Sequence, residues 1–513
     1  MIESYIGGSW VGGASGTFTS TNPARLSEVV AEVSLASAPQ LVDACRAAGE
    51  AQLAWAATPP PVRGRVIASV GRLVEANAAA LADLIVREVG KPRAEALGEV
   101  QEIVDTCDFF LGEGRRLYGQ TVPSEMRDKQ LFTFRVPVGV AMIITAGNFP
   151  VAVPSWYLIP ALLCGNAVVW KPADYSAALG DALTRLFVAG GVPAGVLNTV
   201  HADGPTTFEG LSLALDEGLV QKVGFTGSSE VGAQIGALCG RHLQSPCLEL
   251  GGKNPLVVMP DADVALAAEG ALFSGFGTAG QRCTSLGVAI VHDDVYDEFV
   301  SQFVSRVSEA VIGDPSGDVL YGPMLSERFL QGFEKWLGEI QPHHTVVGST
   351  GVGRITSSNP RAGFVGSCDD GAYAHPTVVL GVTADDALYR HETFGPLVPV
   401  MRFSTFDEAV ALANGHGYGL SSAIYTSSPA TAFRFRERVT AGMLSVNNST
   451  SGAEAHLPFG GNGKSGNGSR QSGVWVLDQF TRWQSMNWDY AGKLQKAQMD
   501  VEAPTAADPA FRL

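Results

Sequence analysis

The spacing of apolar residues along the chain predicts an α/β protein. From about Ala38 to Arg116 apolar residues recur at helical spacing. After that the pattern changes to short apolar strands that alternate with helices. The predicted strands are Val140–Ala146, Ala167–Trp170, Val196–Val200 and Lys222–Phe225, and the helices between and after them are Pro154–Leu163, Ala177–Ala189 and Ser228–Cys239. Continuous apolar strands separated by helices indicate a parallel sheet with both faces covered.

The same rhythm starts again after Gly252 and predicts a second α/β lobe. Its strands are predicted at Pro255–Met259 and Val288–Val291, and its helices at Val264–Gly275 and Val295–Val311. The N-terminal stretch reads as irregular, residues 343–373 as a surface loop, and the tail from Asp500 as poorly ordered. Ligands of such folds bind beyond the carboxyl ends of the strands, where Asn148, Lys171 and Thr226 are expected.

Charge and cysteine content narrow the function classes. With 513 residues and a formal charge of −16, the chain is a poor candidate for nucleic-acid binding, and an anionic substrate would need a local basic group. Seven scattered cysteines favour a reducing, cytoplasmic location, and the N-terminus shows no signal-peptide pattern. The charge-free segment from Val136 to Trp170 has the length of a membrane span, but its four prolines favour strand, loop and buried helix instead.

The candidate chemistry centres on Cys283, which lies in the sequence Gly-Gln-Arg-Cys-Thr. A thiolate adds readily to a carbonyl carbon, whereas a thiol does not, so this residue needs a base or a lowered pKa. Glu249, before Leu-Gly-Gly-Lys, is the candidate base, and Asn148, before Phe-Pro, can donate its amide to an oxyanion. Taken singly, Asn148 is also a plausible turn residue and Glu249 an ordinary ion-paired carboxylate.

A dinucleotide site is suggested by three segments that follow strands. The run from Gly224 to Ser229 leads from a strand into a helix, whose N-terminal amides can face a pyrophosphate. Lys171 with Asp174, and Glu392 with Phe394, offer partners for ribose hydroxyls and a flat apolar face. No metal site is predicted, because the nine histidines form no ligand-spaced set.

Together these motifs resemble the aldehyde dehydrogenase superfamily over nearly the whole chain. They are Asn-Phe-Pro at 148, Lys-Pro at 171, Phe-Thr-Gly-Ser at 225, Glu-Leu-Gly-Gly at 249, Gly-Gln-Arg-Cys at 280, Glu-Thr-Phe-Gly-Pro at 392 and Pro-Phe-Gly-Gly at 458. The resemblance implies two doubly wound parallel-sheet lobes, one a Rossmann-like cofactor domain and one a catalytic domain, with a small β arm for oligomerisation. It assigns residues 1–116 and 137–248 to the cofactor domain, 249–447 to the catalytic domain, and 117–136 with 471–490 to the arm.

The resemblance also implies roles for single residues. Cys283 is the nucleophile, Glu249 the base and Asn148 the oxyanion donor. The expected cofactor is NAD, with NADP as the alternative, and the assembly is a homodimer or homotetramer. Expected cofactor contacts are Ile144, Thr145, Lys171, Asp174, Gly227, Ser228, Glu392 and Phe394.

Within that superfamily, the chain is most similar to the α-aminoadipic semialdehyde (antiquitin-like) dehydrogenases. The similar pieces include Gly-Glu-Val-Gln-Glu at 98, Ile-Ile-Thr-Ala at 143 and Thr-Ser-Gly-Ala-Glu at 450. The resemblance implies that Arg282, Gly452 and Ala453 hold a substrate carboxylate and that Glu99 or Glu102 assists at the polar end. Thr284, Phe149, Trp156 and Phe459 complete the expected substrate contacts. For Arg282 a structural ion pair is an equal alternative.

Two departures from the family pattern leave the identity of the substrate open. Asp174 stands where the family often has glutamate, and Gly147 stands where antiquitin-like enzymes have phenylalanine. The expected reaction is oxidation of an aldehyde to its acid, with a semialdehyde such as α-aminoadipic semialdehyde as the leading substrate. α-Ketoglutaric or succinic semialdehyde, or a broad range of aldehydes, is the alternative. A CoA-acylating enzyme and a non-catalytic binding protein are weaker hypotheses.

Overall fold

The computed structural model describes residues 1–496, 498–501 and 507–513. Its strands are β1 (Ser4–Ile6), β2 (Ser9–Val11), β3 (Thr17–Asn22), β4 (Arg25–Ser34), β5 (Gln120–Val122), β6 (Lys129–Pro137), β7 (Val140–Ile144), β8 (Ala167–Lys171), β9 (Leu197–Thr199), β10 (Lys222–Thr226), β11 (Cys247–Glu249), β12 (Asn254–Val258), β13 (Leu286–His292), β14 (Thr345–Val347), β15 (Thr377–Leu380), β16 (Leu397–Phe403), β17 (Tyr418–Gly419), β18 (Ser421–Tyr425), β19 (Met443–Val446), β20 (Asn462–Gly463) and β21 (Thr481–Asp489).

The helices fill the intervals between these strands. They are α1 (Ala38–Ala57), α2 (Pro60–Ala76), α3 (Ala78–Val89), α4 (Arg93–Glu113), α5 (Ala152–Leu163), α6 (Ala177–Ala189), α7 (Gly204–Asp216), α8 (Ser229–Arg241), α9 (Val264–Phe276), α10 (Tyr296–Glu309), α11 (Glu327–Leu337), α12 (Ala387–Arg390), α13 (Phe406–Gly415), α14 (Pro429–Arg438) and α15 (Leu477–Phe480). The helical reading of residues 38–116 is confirmed by α1 to α4.

Two seven-stranded sheets form the two lobes. The first has the order β11-β10-β7-β8-β9-β1-β2, parallel from β11 to β9 and antiparallel beyond. The second has the order β14-β15-β16-β13-β12-β18-β19 and is parallel except for β14. The predicted α/β class with two parallel-sheet lobes is therefore confirmed.

A third, small sheet joins distant parts of the chain. Strand β21 pairs antiparallel with β6 over nine residues, from Thr481 opposite Pro137 to Asp489 opposite Lys129, and β5 covers the other edge of β6. Strand β21 leaves Trp483, Met486 and Trp488 about half exposed. The predicted small β arm is present, and its role in assembly stays a prediction.

The charge-free segment that resembled a membrane span folds as a strand, a buried helix and a strand. Every residue of α5 is buried, as are β7 and β8 on either side of it. Helix α5 tolerates Pro154 in its first turn, where the missing N–H has no helical partner, and also carries Pro160 inside. Among the described residues no helix is both long and apolar enough to cross a membrane.

Three predictions about irregular regions need correction or limitation. The N-terminal stretch is not irregular, because β1 and β2 extend the first sheet and β3 pairs with β4 in a hairpin. Residues 343–373 are not wholly loop, since β14 lies at the edge of the second sheet. Strands β1, β2 and β14, of three residues each, carry too few residues to show the period of two. Of the tail, residues 502–506 lie outside the described residues.

Candidate active site

A cleft of about 940 Å³ collects most of the residues that the sequence singled out. Of the predicted site residues, its walls include Cys283, Asn148, Gly227, Ser228, Glu392, Phe394, Arg282, Thr284, Gly452, Ala453, Phe149, Trp156, Phe459 and Glu99. Glu249, Ile144, Thr145, Lys171 and Asp174 do not form its walls. Segments separated by more than 300 residues thus meet in one space, because the carboxyl ends of parallel strands lie at one edge of a sheet.

Cys283 follows a strained turn and is half-buried. In the turn Gly277–Gly280, Thr278 and Ala279 have φ of 51° and 53°, a region that β-branched and other non-glycine residues rarely adopt. The amide of Asn254 donates to the carbonyl oxygen of Cys283 at 2.8 Å. Burial, with the nearby carboxylates of Glu392 and Glu249, raises the pKa of the Cys283 thiol to about 12. The sulfur is therefore mainly a neutral thiol near pH 7 in this arrangement.

Asn148 is held against the backbone beside the nucleophile. Its side-chain Nδ2 donates to the carbonyl oxygen of Gln281 at 2.9 Å, and the residue is buried. An amide nitrogen has two N–H groups, so one remains for a ligand oxygen in the cleft. The turn reading of Asn148 does not account for this long-range contact.

Glu249 ends strand β11 and is buried at 3% exposure. Its Oε2 accepts the backbone N–H of Gly461 at 3.2 Å, and its Oε1 has no hydrogen-bond partner among the described residues. Burial raises the pKa of this carboxyl well above its usual value, although Arg470 and Gly461 act in the opposite direction. A buried carboxyl with one unpartnered oxygen is a candidate proton acceptor rather than a surface ion pair.

The two glycines after Glu249 allow the chain to pass close to the nucleophile. A Cβ on Gly252 would collide with the carbonyl oxygen of Cys283, and one on Gly251 would collide with the carboxyl of Glu392. The backbone N–H of Gly252 also donates to Glu392 Oε1 at 3.1 Å. The Gly-Gly pair thus allows the segment that follows Glu249 to pass close to both Cys283 and Glu392.

The start of helix α8 faces the cleft through Gly227 and Ser228. Ser228 is the N-cap residue, and its Oγ accepts the N–H of Val231 at 3.3 Å. The backbone N–H of Gly227 donates to the carbonyl of Glu249 at 3.1 Å. A capped 13-residue helix presents partial positive charge at its N-terminus, which suits a pyrophosphate.

Four predicted cofactor residues, Ile144, Thr145, Lys171 and Asp174, are not among the residues that form the cleft wall. The buried Thr145 accepts the indole N–H of Trp170 at 3.0 Å, and Ile144 ends the buried strand β7. Lys171 is buried, and burial lowers the pKa of its ammonium although Asp174 and Asp203 act against this. These positions support the sheet edge, and any contact of theirs with a cofactor stays a prediction.

Glu392 and Phe394 line the cleft near a buried lysine. Burial raises the pKa of Glu392 to about 7, and Gly252 and Lys253 act to lower it. The Nζ of Lys253 has no hydrogen-bond partner among the described residues, and burial lowers its pKa to about 7. Phe394 has φ of 44°, a left-handed conformation, and its ring centroid lies 6.0 Å from that of Phe329.

An aromatic pair lines another part of the cleft. The rings of Trp156 and Phe459 lie 4.6 Å apart, and Phe149 packs beneath the ammonium of Lys91, whose Nζ is 3.4 Å from the ring centroid. The indole N–H of Trp156 is buried and has no acceptor among the described residues. It lies near the carboxyl of Glu102 and acts to lower the pKa of that group, so the two side chains form one polar region of the cleft wall.

Arg282 is ion-paired with a residue that the sequence did not single out. Its Nη2 lies 2.6 Å from Glu95 Oε2, and its Nε donates to Thr278 Oγ1 at 3.1 Å. Its guanidinium carbon lies 4.7 Å from the ring centroid of Phe273. Arg282 therefore does form a structural ion pair through Nη2, whereas its Nη1 has no acceptor among the described residues. Glu95 lies four residues before Glu99 on α4, the helical spacing that could have indicated it.

Glu99 lies in the cleft wall, but protein donors occupy both of its oxygens. Oε1 accepts the backbone N–H groups of Val151 and Ala152 at 2.8 and 3.1 Å, and Oε2 pairs with Lys91 at 2.5 Å. Glu102, the other candidate, also lines the cleft, and its buried Oε1 has no partner among the described residues. Burial, with the charge of Glu99, raises the pKa of Glu102 to about 8. Glu102 is therefore better placed than Glu99 to meet a ligand.

Thr284, Gly452 and Ala453 form the wall opposite α4. The hydroxyl of Thr450 donates to the carbonyl of Thr284 at 2.8 Å, and the Oγ atoms of Thr284 and Ser451 lie 3.5 Å apart. Gly452 has φ of 140°, which favours glycine, and it is exposed. These contacts attach the 450–453 segment to the nucleophile turn.

The departure at Gly147 has a steric explanation. A Cβ at this position would come within 2.6 Å of the Tyr175 ring and 2.7 Å of Ser176 Oγ. Tyr175 lies in the cleft wall and its hydroxyl accepts the N–H of Gly147 at 3.2 Å. The tyrosine therefore occupies the space that a larger residue at 147 would need.

One group of potential metal ligands lies elsewhere, at His343, His344 and Asp386. Both histidine Nε2 atoms lie within 3.3 Å of Asp386 Oδ2. The Nδ1 of His344 accepts the backbone N–H of Gln341 at 3.0 Å, so in this assignment Nε2 carries the proton and donates to Asp386. That tautomer does not leave Nε2 free for a metal, and the prediction of no metal site stays a prediction.

Comparison with known proteins agrees with this geometry. The model of the aldehyde dehydrogenase family matches residues 10–486. An α-ketoglutarate semialdehyde dehydrogenase of Haloferax volcanii is 38% identical over 93% of this chain and 97% of its own length. An α-aminoadipic semialdehyde dehydrogenase of Bos taurus is 34% identical over 97% of this chain and 90% of its own.

A solved structure gives the same result. The betaine aldehyde dehydrogenase of Staphylococcus aureus in complex with NAD+ superposes with a TM-score of 0.90 at 27% identity, covering 96% of each chain. Because the family match covers most of the sequence and the relatives align over nearly their full length, the protein belongs to the aldehyde dehydrogenase family, as its motifs predicted.

Proposed function

We propose that the protein oxidises a carboxylate-bearing semialdehyde, such as α-aminoadipic or α-ketoglutaric semialdehyde, to its acid. The observation that carries this proposal is the position of Cys283. It lies in the wall of one cleft, together with Gly227 and Ser228 at the start of α8, Glu392, and the polar side chains of Arg282, Glu102 and Trp156. A carbonyl bound there would have three things around it: the Cys283 thiol, a site for a hydride acceptor, and the polar groups of Arg282, Glu102 and Trp156. These polar groups form the tail site, where the end of the substrate away from the aldehyde would bind.

In the first step the sulfur of Cys283 attacks the aldehyde carbon. The thiol first loses its proton to solvent water, because a neutral thiol, with a pKa near 12, adds slowly. The S–C bond forms as the carbonyl becomes an alkoxide, and the free N–H of Asn148 with the backbone N–H of Cys283 donate to that oxygen. Such a donor is worth roughly 3–4 kcal/mol of activation free energy.

The residues around the cleft fit a nicotinamide dinucleotide. When bound, a nicotinamide would supply the hydride acceptor, and loss of hydride from the adduct carbon would leave a thioester on Cys283. Gly227 and Ser228 would hold the pyrophosphate, and the cleft-lining carboxyl of Glu392 would accept from a ribose hydroxyl. Lys171, with the carboxylate of Asp174 near it, would hold the hydroxyls of the adenosine ribose.

Glu249 would then activate the water that cleaves the thioester. The unpartnered Oε1 takes one water proton, the water oxygen bonds to the thioester carbon, and the S–C bond breaks. The acid leaves and the thiol is restored. An enzyme that used CoA in place of water would not need this base, so Glu249 argues against that alternative.

The tail of the substrate would contact hydrogen-bond donors as well as the charged guanidinium of Arg282. Arg282, whose Nε and Nη2 are bonded to Thr278 and Glu95, would offer Nη1 to a carboxylate. Glu102, which lies beside the indole N–H of Trp156, is mainly protonated at pH 7 and can donate. Acceptor groups such as a carboxylate or a keto oxygen fit these partners. An ammonium group fits only if Glu102 gives up its proton.

Assembly, location and domain division extend the proposal. We infer a homodimer or homotetramer formed through the β5, β6 and β21 arm, because the outer edge of the nine-residue strand β21 has no partner strand among the described residues and carries exposed tryptophans. A cytoplasmic location is supported by seven free cysteines.

We also propose the domain division that the family pattern implies. The cofactor domain comprises residues 1–116 and 137–248, the catalytic domain comprises residues 249–447, and the arm comprises residues 117–136 and 471–490.

Steady-state kinetics tests the substrate class. α-Aminoadipic, α-ketoglutaric and succinic semialdehydes would be compared with hexanal, each with NAD and NADP, and products would be analysed with and without CoA. We expect kcat/KM for at least one carboxylate-bearing aldehyde to exceed that for hexanal by roughly tenfold or more, as one charged hydrogen bond allows. Equal values would contradict the proposal, and acyl-CoA as the product would favour the CoA-dependent alternative.

Replacing the nucleophile tests the reaction itself. Cys283→Ala removes the atom that forms the thioester, so NADH formation should vanish with every aldehyde. Cys368→Ala is the matched control, because Cys368 is the other half-buried thiol and lies outside the cleft wall. Turnover by the Cys283→Ala variant would refute the mechanism.

A further inference from the structure

Arg282 does not present a free positive charge to the cleft. Glu95 Oε2 lies 2.6 Å from its Nη2, and the side chain of Arg282 is 9% exposed while that of Glu95 is 16% exposed. At that distance and burial the two charges largely cancel for any ligand several ångströms away. A substrate carboxylate at Nη1 therefore meets an arginine whose charge is already balanced.

Glu95 also secures the backbone that carries the nucleophile. Its Oε2 accepts the hydroxyl of Thr278 at 2.5 Å, and its Oε1 accepts the N–H of Thr278 at 3.3 Å. Thr278 is one of the two left-handed residues of the turn before Arg282 and Cys283. A residue on helix α4 thus holds a strained turn more than 180 residues away in the chain.

The other charged groups around the tail site are also balanced. Lys91 and Glu99 are paired at 2.5 Å, and both side chains are fully buried. Glu102 is mainly protonated at neutral pH. With Glu95 and Arg282 paired, the tail site as a whole is close to neutral, on a protein of formal charge −16.

We propose that Glu95 is a specificity-determining residue, an internal counter-ion that weakens the binding of anionic tails at Arg282. The site then selects a carboxylate by the geometry of Nη1 and not by net charge. This inference rests on the proposed function, in which a carboxylate binds beside Cys283. It predicts that removing the charge of Glu95 strengthens anion binding, the opposite of what loss of a substrate contact would do.

Glu95→Gln is the test variant, because the amide oxygen can still accept from Arg282 while the charge is removed. Glu113→Gln is the matched control: Glu113 pairs with Arg116 at the far end of the same helix, about 27 Å away by helical rise. We expect KM for the carboxylate-bearing aldehyde to fall several-fold in Glu95→Gln, while KM for hexanal stays within about twofold. A raised KM for the carboxylate-bearing aldehyde would overturn the inference.

A second measurement does not depend on the aldehyde. Cys283 would be alkylated with iodoacetate, which is anionic, and in parallel with iodoacetamide, which is neutral. Mass spectrometry of the peptide that contains Cys283 would give the rate of each reaction. A change in the thiolate fraction alters both rates equally and leaves their ratio unchanged. The ratio of the iodoacetate rate to the iodoacetamide rate should rise several-fold in Glu95→Gln and stay unchanged in Glu113→Gln. An unchanged or lower ratio in Glu95→Gln would refute the counter-ion role, even if wild-type kinetics had already refuted the proposed substrate.

Discussion

Asn148 Nδ2 donates to the carbonyl oxygen of Gln281 at 2.9 Å, which ties the loop after β7 to the turn that carries the nucleophile. The two residues are 133 positions apart, and both are buried. The contact holds the amide beside the backbone that leads to Cys283, two residues further on. In the proposed mechanism, an amide that is already held in place needs little reorganisation when charge develops on the substrate oxygen.

Removing this amide should slow the chemical step. For Asn148→Ala we expect kcat to fall by roughly 10²–10³-fold, the loss associated with one oxyanion donor. Asn148→Asp keeps the size but places a carboxylate against the developing negative charge, and it should be at least as slow. Single-turnover NADH formation measures the step. A kcat within threefold of wild type in Asn148→Ala would show that the donor role is wrong.

The thiol of Cys283 should react as a group with a high pKa in the ligand-free protein. Because burial holds its pKa at about 12, the thiolate fraction should rise about tenfold per pH unit between pH 7 and 9. The rate of alkylation by iodoacetamide at the Cys283 peptide should follow the same slope. A rate that levels off below pH 9 would indicate a lowered pKa and a thiolate already formed.

Glu249→Gln should separate the two halves of the reaction. The first half does not need the carboxylate, so one equivalent of NADH should form rapidly, followed by a steady rate roughly 10²-fold or more below wild type. Glu217→Gln, an exposed partner of Arg46, serves as the control. Stopped-flow absorbance would show the burst. An unchanged steady rate without a burst would exclude Glu249 as the base.

Glu102 should impose a pH dependence on tail recognition. Its pKa is raised to about 8, so the group is neutral below that pH and negative above it. For succinic semialdehyde, which carries a carboxylate and no amino group, preference over hexanal should therefore decline as pH rises from 7 to 9. In Glu102→Gln the preference should be flat, whereas Asp108→Asn, an exposed change on the same helix, should behave like wild type. A flat wild-type profile would contradict the ionisation of Glu102.

The sequence by itself determined the fold class and the chemical groups. Apolar periodicity was sufficient for the alternation of strands and helices, because buried parallel strands and amphipathic helices leave distinct patterns. Motif order and spacing were sufficient for the family, and Gly-Gln-Arg-Cys marked the candidate nucleophile. Short N-terminal strands were missed, since segments of three residues carry no readable period.

Only the tertiary structure decided which of the candidate side chains are free to meet a ligand. Sequence placed Glu99 among the substrate contacts, but its oxygens are occupied by Lys91 and the start of α5, while Glu102 keeps an unpartnered oxygen. Arg282 could be either a substrate ligand or an ion pair, and the fold brings Glu95 to it from 187 residues away. Such pairings depend on how helix α4 packs against the nucleophile turn, and no local pattern in the chain encodes that distance.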